Sequence, residues 1–293
     1  MNNSEIEYKK KLLETFKAFD AFCRKHDIKY YAAYGTLIGA VRHHGIIPWD
    51  DDIDVTMIRE DYDRFISLRR ELESSKYEIV DPSNPGYYLS YAKFVDKTTT
   101  LWEVEQYEYI IGVFIDIFPL DHVEGNIETL KGRHKKFFNI CNCHFSGYQN
   151  LLCKSSLKKL SLSHPRGIIY WLYLLTLKIR KKYYSQKFWE YESQLRTSKG
   201  DKLLCFDIQY AIEKELFKSE WFEKQIRVPF ENTEICIMEG YDQYLTQIYG
   251  DYMTFPPVEE RVSHHYHYFL DLDRRWTISE IKSYLKLQTP LNG

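Results

Sequence analysis

Residues 35–55 read GTLIGAVRHHGIIPWDDDIDV, and four aspartates (Asp50, Asp51, Asp52 and Asp54) fall within five of them, in a chain whose net charge is only −2. Like-charged carboxylates repel, and burying them is costly unless something neutralises the charge. The stretch is therefore either a solvated acidic turn or a place for a cation. After the Pro48-Trp49 corner, the alternation over 52–58 predicts a strand. On a strand Asp52 and Asp54 share one side while Ile53 and Val55 face a core. Asp50 then shapes the corner, and Asp51 falls on the side opposite Asp52 and Asp54.

Upstream, IKYYAAYG (28–35) is an apolar and aromatic run ending in glycine, which predicts a buried strand. TLIGAVRH (36–43) predicts a helix opening just after Gly35, with Thr36 near its N-cap. Such a helix start offers unpaired N–H groups and a favourable dipole to an anion. Glycine lets a phosphate approach the backbone, and Arg42, two turns along, adds a charge-assisted contact. Downstream, 59–72 returns to helix. Arg59 at its start opposes the dipole, which calls for an anion or a carboxylate such as Asp54 nearby.

Further strands are predicted at 77–80, 88–95 and 112–118, with a loop at 81–86. The last strand, GVFIDIF, carries Asp116 among apolar neighbours, where a lone carboxylate needs a partner. If it pairs beside 52–58, Asp52, Asp54 and Asp116 form a three-carboxylate cluster. Oxygen-only ligands suit Mg²⁺, and three carboxylates can bridge the two ions of a phosphoryl-transfer site.

The remainder bounds the reading. With 293 residues, 44% apolar and 28% charged, the chain has ordinary globular composition and room for a sizeable core. Its six cysteines include no CxxC pair, which fits a reduced intracellular protein. The N-terminal MNNSEIEYKKKLLETF has early acids and no apolar segment, so no signal peptide is expected. The longest apolar run, GIIYWLYLLTL at 167–177, is too short to span a bilayer, and a cytoplasmic location follows as an expectation. Helices are predicted at 5–25, through most of 127–197, at 241–251 and at 277–287, with a hairpin at 226–237.

From Lys131 to Trp189 there are thirteen Lys or Arg and no Asp or Glu, leaving −15 on the rest of the chain. Residues 151–189 combine these cations with Trp, Tyr and Leu. That composition suits an interfacial helix on an anionic membrane, and equally a solvated basic insertion packed on the core. No RRM-, KH- or OB-like signature is present, so nucleic acid is not an expected partner. The expected organisation is a catalytic core over 1–130, a basic helical insertion over 131–200 and a part completing the cleft over 201–293. Near the C-terminus, Tyr249-Gly250-Asp251 forms a helix end, and His264 and His267 of SHHYH suit a cleft rim.

The block GTLIGAVRHHGIIPWDDDIDVTMIREDYDRF resembles the signature of the LicD family. The resemblance continues in GVFIDIFPLD and YDQYLTQIYGDYMTFPPVEERVSHH, spanning roughly 10–125 and 205–272. It implies an α+β, nucleotidyltransferase-like fold with a mixed sheet flanked by helices, similar more distantly to the fukutin-related ribitol-phosphate transferases. It also implies Mg²⁺-dependent transfer of a substituted phosphate, phosphocholine from CDP-choline first among them. The acceptor is a sugar hydroxyl of a teichoic-acid-like or lipopolysaccharide precursor, and CMP is released. Asp52, Asp54 and Asp116 correspond to the family's carboxylates, as catalytic groups and as ligands of one or two Mg²⁺ (or Mn²⁺). Gly35, Thr36 and Arg42 meet the phosphates, Arg42 as a further catalytic group that neutralises charge building on the leaving group. His43, Arg59, Tyr249, Asp251 and His264 are further substrate-binding candidates. His44 stands where lysine is common, which counts against it as general base. The 25 tyrosines supply rings for a choline cage without marking which ones form it. The implied partners are a CDP-alcohol and a lipid-linked glycan, with peripheral contact at the inner face of the plasma membrane through 151–189. A nucleotidyltransferase releasing pyrophosphate and a non-catalytic scaffold of the same fold are the alternatives.

Overall fold

The parallel pairing that would bring Asp116 beside the acidic stretch is present. In a computed structural model, which describes residues 3–158, 165–207, 211–262 and 267–288, the chain opens with helix α1 (Asn3–Lys25), strand β1 (Tyr31–Ala32), helix α2 (Tyr34–Ile38) and strand β2 (Asp54–Ile58). Helix α3 (Arg59–Ser67) and strands β3 (Tyr77–Val80), β4 (Ala92–Trp102) and β5 (Ile111–Val123) complete the N-terminal part. Four helices follow, α4 (Ile127–Ser146), α5 (Lys154–Leu157), α6 (Pro165–Ile179) and α7 (Lys181–Arg196). The last part holds β6 (Lys202–Leu204), α8 (Ile212–Glu215), β7 (Leu216–Lys218), β8 (Gln225–Phe230), β9 (Thr233–Met238), α9 (Tyr241–Tyr249), β10 (Phe269–Asp271) and α10 (Ile278–Gln288).

Among the described residues, eight strands form one mixed sheet with the path β1-β2-β5-β4-β10; β3 also pairs with β4, and β6 and β7 extend from the far end of β5. Among the described strands of this sheet, only β2 and β5 run parallel; the other pairs are antiparallel. This is the α+β architecture expected. Strand β5 is central, and every residue of IGVFIDIFPLDHV except His122 is buried. A near-continuous apolar run is what a strand covered on both faces requires. Helix α1 covers part of the sheet with Leu12, Phe16 and Phe19, and the Phe19 ring lies 4.9 Å from Tyr30 and 5.7 Å from Phe94. The inserted helices have cores of their own: Phe137, Phe188 and Tyr191 join α4 to α7, and Leu151 meets Leu174 and Leu177 of α6.

Several elements differ from expectation. The strand predicted over 28–35 shrinks to β1, because Tyr34 adopts φ 47° and turns the chain at once into α2. Thr36 lies inside that helix, whose N-cap is Ala33. Residues 39–43 form a π-helical turn that ends at His44 in the left-handed region. The helix predicted over 59–72 tightens into a 3₁₀ turn at Leu68–Leu72. Strand β4 runs on to Trp102 through a register shift between Asp96 and Leu101. Gly112 permits that shift, since a Cβ there would sit 1.8 Å from the Asp96 carbonyl oxygen.

Candidate active site

Strand register assembles the centre. The parallel β2–β5 ladder sets Asp54 opposite Asp116, and the antiparallel β4–β5 ladder sets Lys93 opposite the same Asp116. The row Asp54–Asp116–Lys93 therefore crosses three adjoining strands. Lys93 Nζ lies 2.7 Å from Asp116 Oδ1 and 3.5 Å from Glu103 Oε1, and the residue is only 1% exposed. Its ammonium also sits 3.3 Å from the centre of the Phe114 ring. Burial alone would lower the Lys93 pKa, but Asp116 and Glu103 outweigh it and hold the ammonium above its ordinary range. The Asp54 pKa is raised as well, which here favours the neutral form: burial first, then Asp52, Asp116 and Asp50, push its carboxyl well above the usual range, against Lys93.

The segments around this row lock its geometry. The Asp54 N–H donates to Thr36 Oγ1 at 2.8 Å, and Ala33 N–H donates to the Asp54 carbonyl at 3.0 Å. The Asp116 N–H donates to the Ile53 carbonyl at 3.0 Å. Ile53 and Val55 are fully buried while Asp52 and Asp54 are half-buried, the alternation expected although β2 starts only at Asp54. Gly35 permits a close approach, but by Asp50: a Cβ there would lie 2.7 Å from Asp50 Oδ2. Asp50 Oδ1 also accepts the Asp51 N–H at 3.2 Å, so Asp50 shapes the corner. Asp51 corrects the strand reading, because it lines the same cleft as Asp52. The chain is still in a loop there, and strand alternation does not apply.

Two clefts meet at this turn. One, of about 540 Å³, is lined by Asp51, Asp52, Glu103, Phe114 and Tyr268, among others; the second, of about 480 Å³, includes Lys9, Trp49, Asp50 and Arg261. Tyr8, Asp51 and His267 line both.

The remaining candidates scatter around these clefts. Arg42 Nη1 donates to the carbonyls of Tyr252 (2.6 Å) and Thr254 (3.2 Å), and its guanidinium lies over Phe255 at 4.6 Å. It thus ties the segment after α9 to the turn following α2. His43 packs edge-on to Trp49 and Phe255, and burial, then Arg42, lowers its pKa. Tyr249 ends α9, and Asp251 accepts from Thr254 Oγ1 at 2.6 Å; neither lines the two clefts. They organise the segment that Arg42 holds. His264 lies outside the described residues.

Arg59 pairs not with Asp54 but with Asp121, through contacts of 2.6 and 2.9 Å, and with Glu192 at 3.5 Å, all three being buried. The carboxylate its position calls for comes from the far end of β5 and from α7. Lys93, Glu103, Tyr8 and Arg261 were not foreseen. A lysine inside the apolar run YAKFV was the available signal for Lys93; the other three are brought in by tertiary packing alone.

The donor set can be tested against a divalent ion. Among the described residues, no three His, Cys, Asp or Glu side chains gather as a metal's ligands would. The three-carboxylate cage expected from sequence does not close, and Lys93 takes one side of Asp116. What remains is the register-paired Asp54 and Asp116, with Asp52 close enough to perturb Asp54. One or two carboxylates completed by water and substrate phosphate is a set that fits Mg²⁺.

Residues 27–166 match the family model described as LicD/FKTN/FKRP, nucleotidyltransferase domain. The chain is 31% identical over 257 residues to the lipopolysaccharide cholinephosphotransferase LicD of Haemophilus influenzae, covering 84% of this chain and 90% of that protein. It is also 32% identical over 129 residues to an uncharacterised protein of Rickettsia typhi, 44% of this chain and 40% of that one. Identity sustained across so much of both chains reflects a common fold and ancestry rather than one shared motif, and the chain belongs to the LicD family.

Proposed function

We propose that this LicD-family phosphotransferase moves phosphocholine from CDP-choline to a sugar hydroxyl of a lipopolysaccharide-type glycan precursor, releasing CMP. One observation carries the reading: register-paired Asp54 and Asp116 stand next to Asp52, which lines the acidic cleft, in a chain that aligns over most of its length with a lipopolysaccharide cholinephosphotransferase. The acceptor oxygen attacks the β-phosphorus in line, its bond to phosphorus forming as the bond to CMP breaks, and its proton passes to a carboxylate of the cleft. Asp54 and Asp116, with Asp52 at the rim, would hold Mg²⁺ or Mn²⁺, which when bound neutralises charge on the diphosphate. Lys93 fixes the Asp116 carboxylate, so that it needs no reorganisation during transfer. Lys9 and Arg261 place two cations among the carboxylates of the second cleft, where they can meet the donor's phosphates. A third cavity, of about 340 Å³, has Tyr91, Tyr107, Phe206 and Asp207 among its walls, a lining that suits a quaternary ammonium.

The nucleotidyltransferase match keeps a second chemistry in view, transfer of a nucleotidyl group with loss of pyrophosphate. Product analysis separates the two. The protein, Mg²⁺, CDP-choline and a lipopolysaccharide acceptor should yield CMP in step with choline on the glycan. Pyrophosphate released from CTP, with CDP-choline left intact in the presence of acceptor, would contradict the proposal.

A further inference from the structure

Helix α6 gives the protein only one of its sides. Leu174 and Leu177 pack on Leu151, and Trp171 Nε1 donates to the Leu151 carbonyl at 3.1 Å. Other positions on the helix expose large apolar side chains: Ile169 is 67% exposed and Ile179 77%, with Leu172 and Tyr173 also exposed. Leu152, 73% exposed, extends the patch onto the segment against which α6 packs. Single exposed apolar residues are normal on a protein surface, but a cluster on one helix and its neighbour marks an interaction site.

Charge says what covers it. Arg166, Lys178, Arg180, Lys181 and Lys182 lie along or beside the same helix, and no Asp or Glu occurs between Lys131 and Trp189. A second copy of the chain would bring these cations against one another across an isologous contact. Nucleic acid would use the cations and leave Ile169, Leu172 and Ile179 without purpose. A bilayer with anionic headgroups satisfies both halves of the pattern. No described helix is long and apolar enough to cross a membrane, so the contact is interfacial. We propose that the exposed apolar residues of α6, together with Leu152 and the flanking cations, dock the protein on an anionic lipid surface.

The position of the patch adds a consequence. Leu152 also lines a groove of about 670 Å³ with Lys154, Lys158, Lys282 and Lys286. That groove shares Glu105, Ser155 and Tyr268 with the cleft that holds Asp51 and Asp52. Docking through α6 brings the lysine-lined groove to the headgroup layer, with the acidic centre at its other end. This orientation would present a lipid-linked, phosphate-bearing acceptor; that consequence rests on the transferase reading, whereas the docking does not.

The test is vesicle flotation of the full chain, independent of catalysis. Wild type should float with phosphatidylcholine vesicles containing phosphatidylglycerol, remain behind with phosphatidylcholine alone, and be released by high salt. Ile169→Glu with Leu172→Glu should lower the bound fraction roughly tenfold. Arg180→Gln with Lys182→Gln, which leaves the apolar residues in place, should lower it by a smaller factor with no shift in melting temperature. Failure of wild type to float, or equal flotation of wild type and both variants, would overturn the proposal. So would a dimer in sedimentation that the glutamate variant dissolves while vesicles bind neither protein.

Discussion

Glu215 shows how a single carboxyl away from the cleft supports it. Its side chain is 1% exposed and accepts from the Tyr34 hydroxyl at 3.1 Å, holding the residue whose φ of 47° turns the chain toward Gly35 and Thr36. Burial raises its pKa from 4.5 to about 7. Because the folded value exceeds the unfolded one, Glu215 favours the fold below pH 4.5, and that contribution is lost as pH rises through about 7. The loss is on the order of 3 kcal/mol. Glu215→Gln should keep the Tyr34 contact and flatten the decline in denaturant stability between those two pH values. An unchanged decline in the variant would assign it to another group. At this scale Asp54 and Asp116 were legible as strand carboxylates, Asp54 from the alternation over 52–58 and Asp116 as a lone charge in an apolar run. Lys93 was not, because its partner is fixed by a ladder between residues 23 positions apart in sequence.

Between elements, the buried Arg59–Asp121–Glu192 group joins α3 to the end of β5 and to α7. It fastens the inserted helices to the sheet that carries the acidic row. Truncating one member of a buried ion group leaves the others charged without compensation, at a cost of about 3–5 kcal/mol. Arg59→Ala should therefore lower the unfolding free energy by that amount, read as a fall in the denaturant midpoint, while the folded fraction keeps its KM for the donor. An unchanged midpoint with a raised KM would restore Arg59 to the substrate. The sequence placed most helices and strands well, because period and breakers are local signals. It misjudged 28–43, where a strained Tyr34 and a π turn set the path, and no periodicity announces either feature. The hairpin β8–β9 is a further case of tertiary control. Its tip, Glu231, accepts the Ile46 N–H at 2.9 Å and donates its own N–H to the His44 carbonyl, fixing the loop before the acidic turn.

Across the whole molecule, charge is separated from charge: aspartates and Glu103 gather at the junction of two clefts, while the cations concentrate on the inserted helices. That separation was visible in the sequence, but which side of α6 meets the protein emerged only when Leu174 and Leu177 were placed on Leu151. The same holds at the centre: the acidic run announced a cation site, yet the built-in cation beside Asp116 is Lys93 rather than part of a closed carboxylate cage. What the arrangement asks of Asp54 can be measured directly. CMP release from CDP-choline, followed with acceptor and Mg²⁺ for wild type and Asp54→Asn, should show kcat reduced at least about a hundredfold in the variant. The variant should also retain its fold, since the substitution removes a crowded charge. Turnover of folded Asp54→Asn equal to that of wild type would contradict the assignment of this centre to phosphoryl transfer.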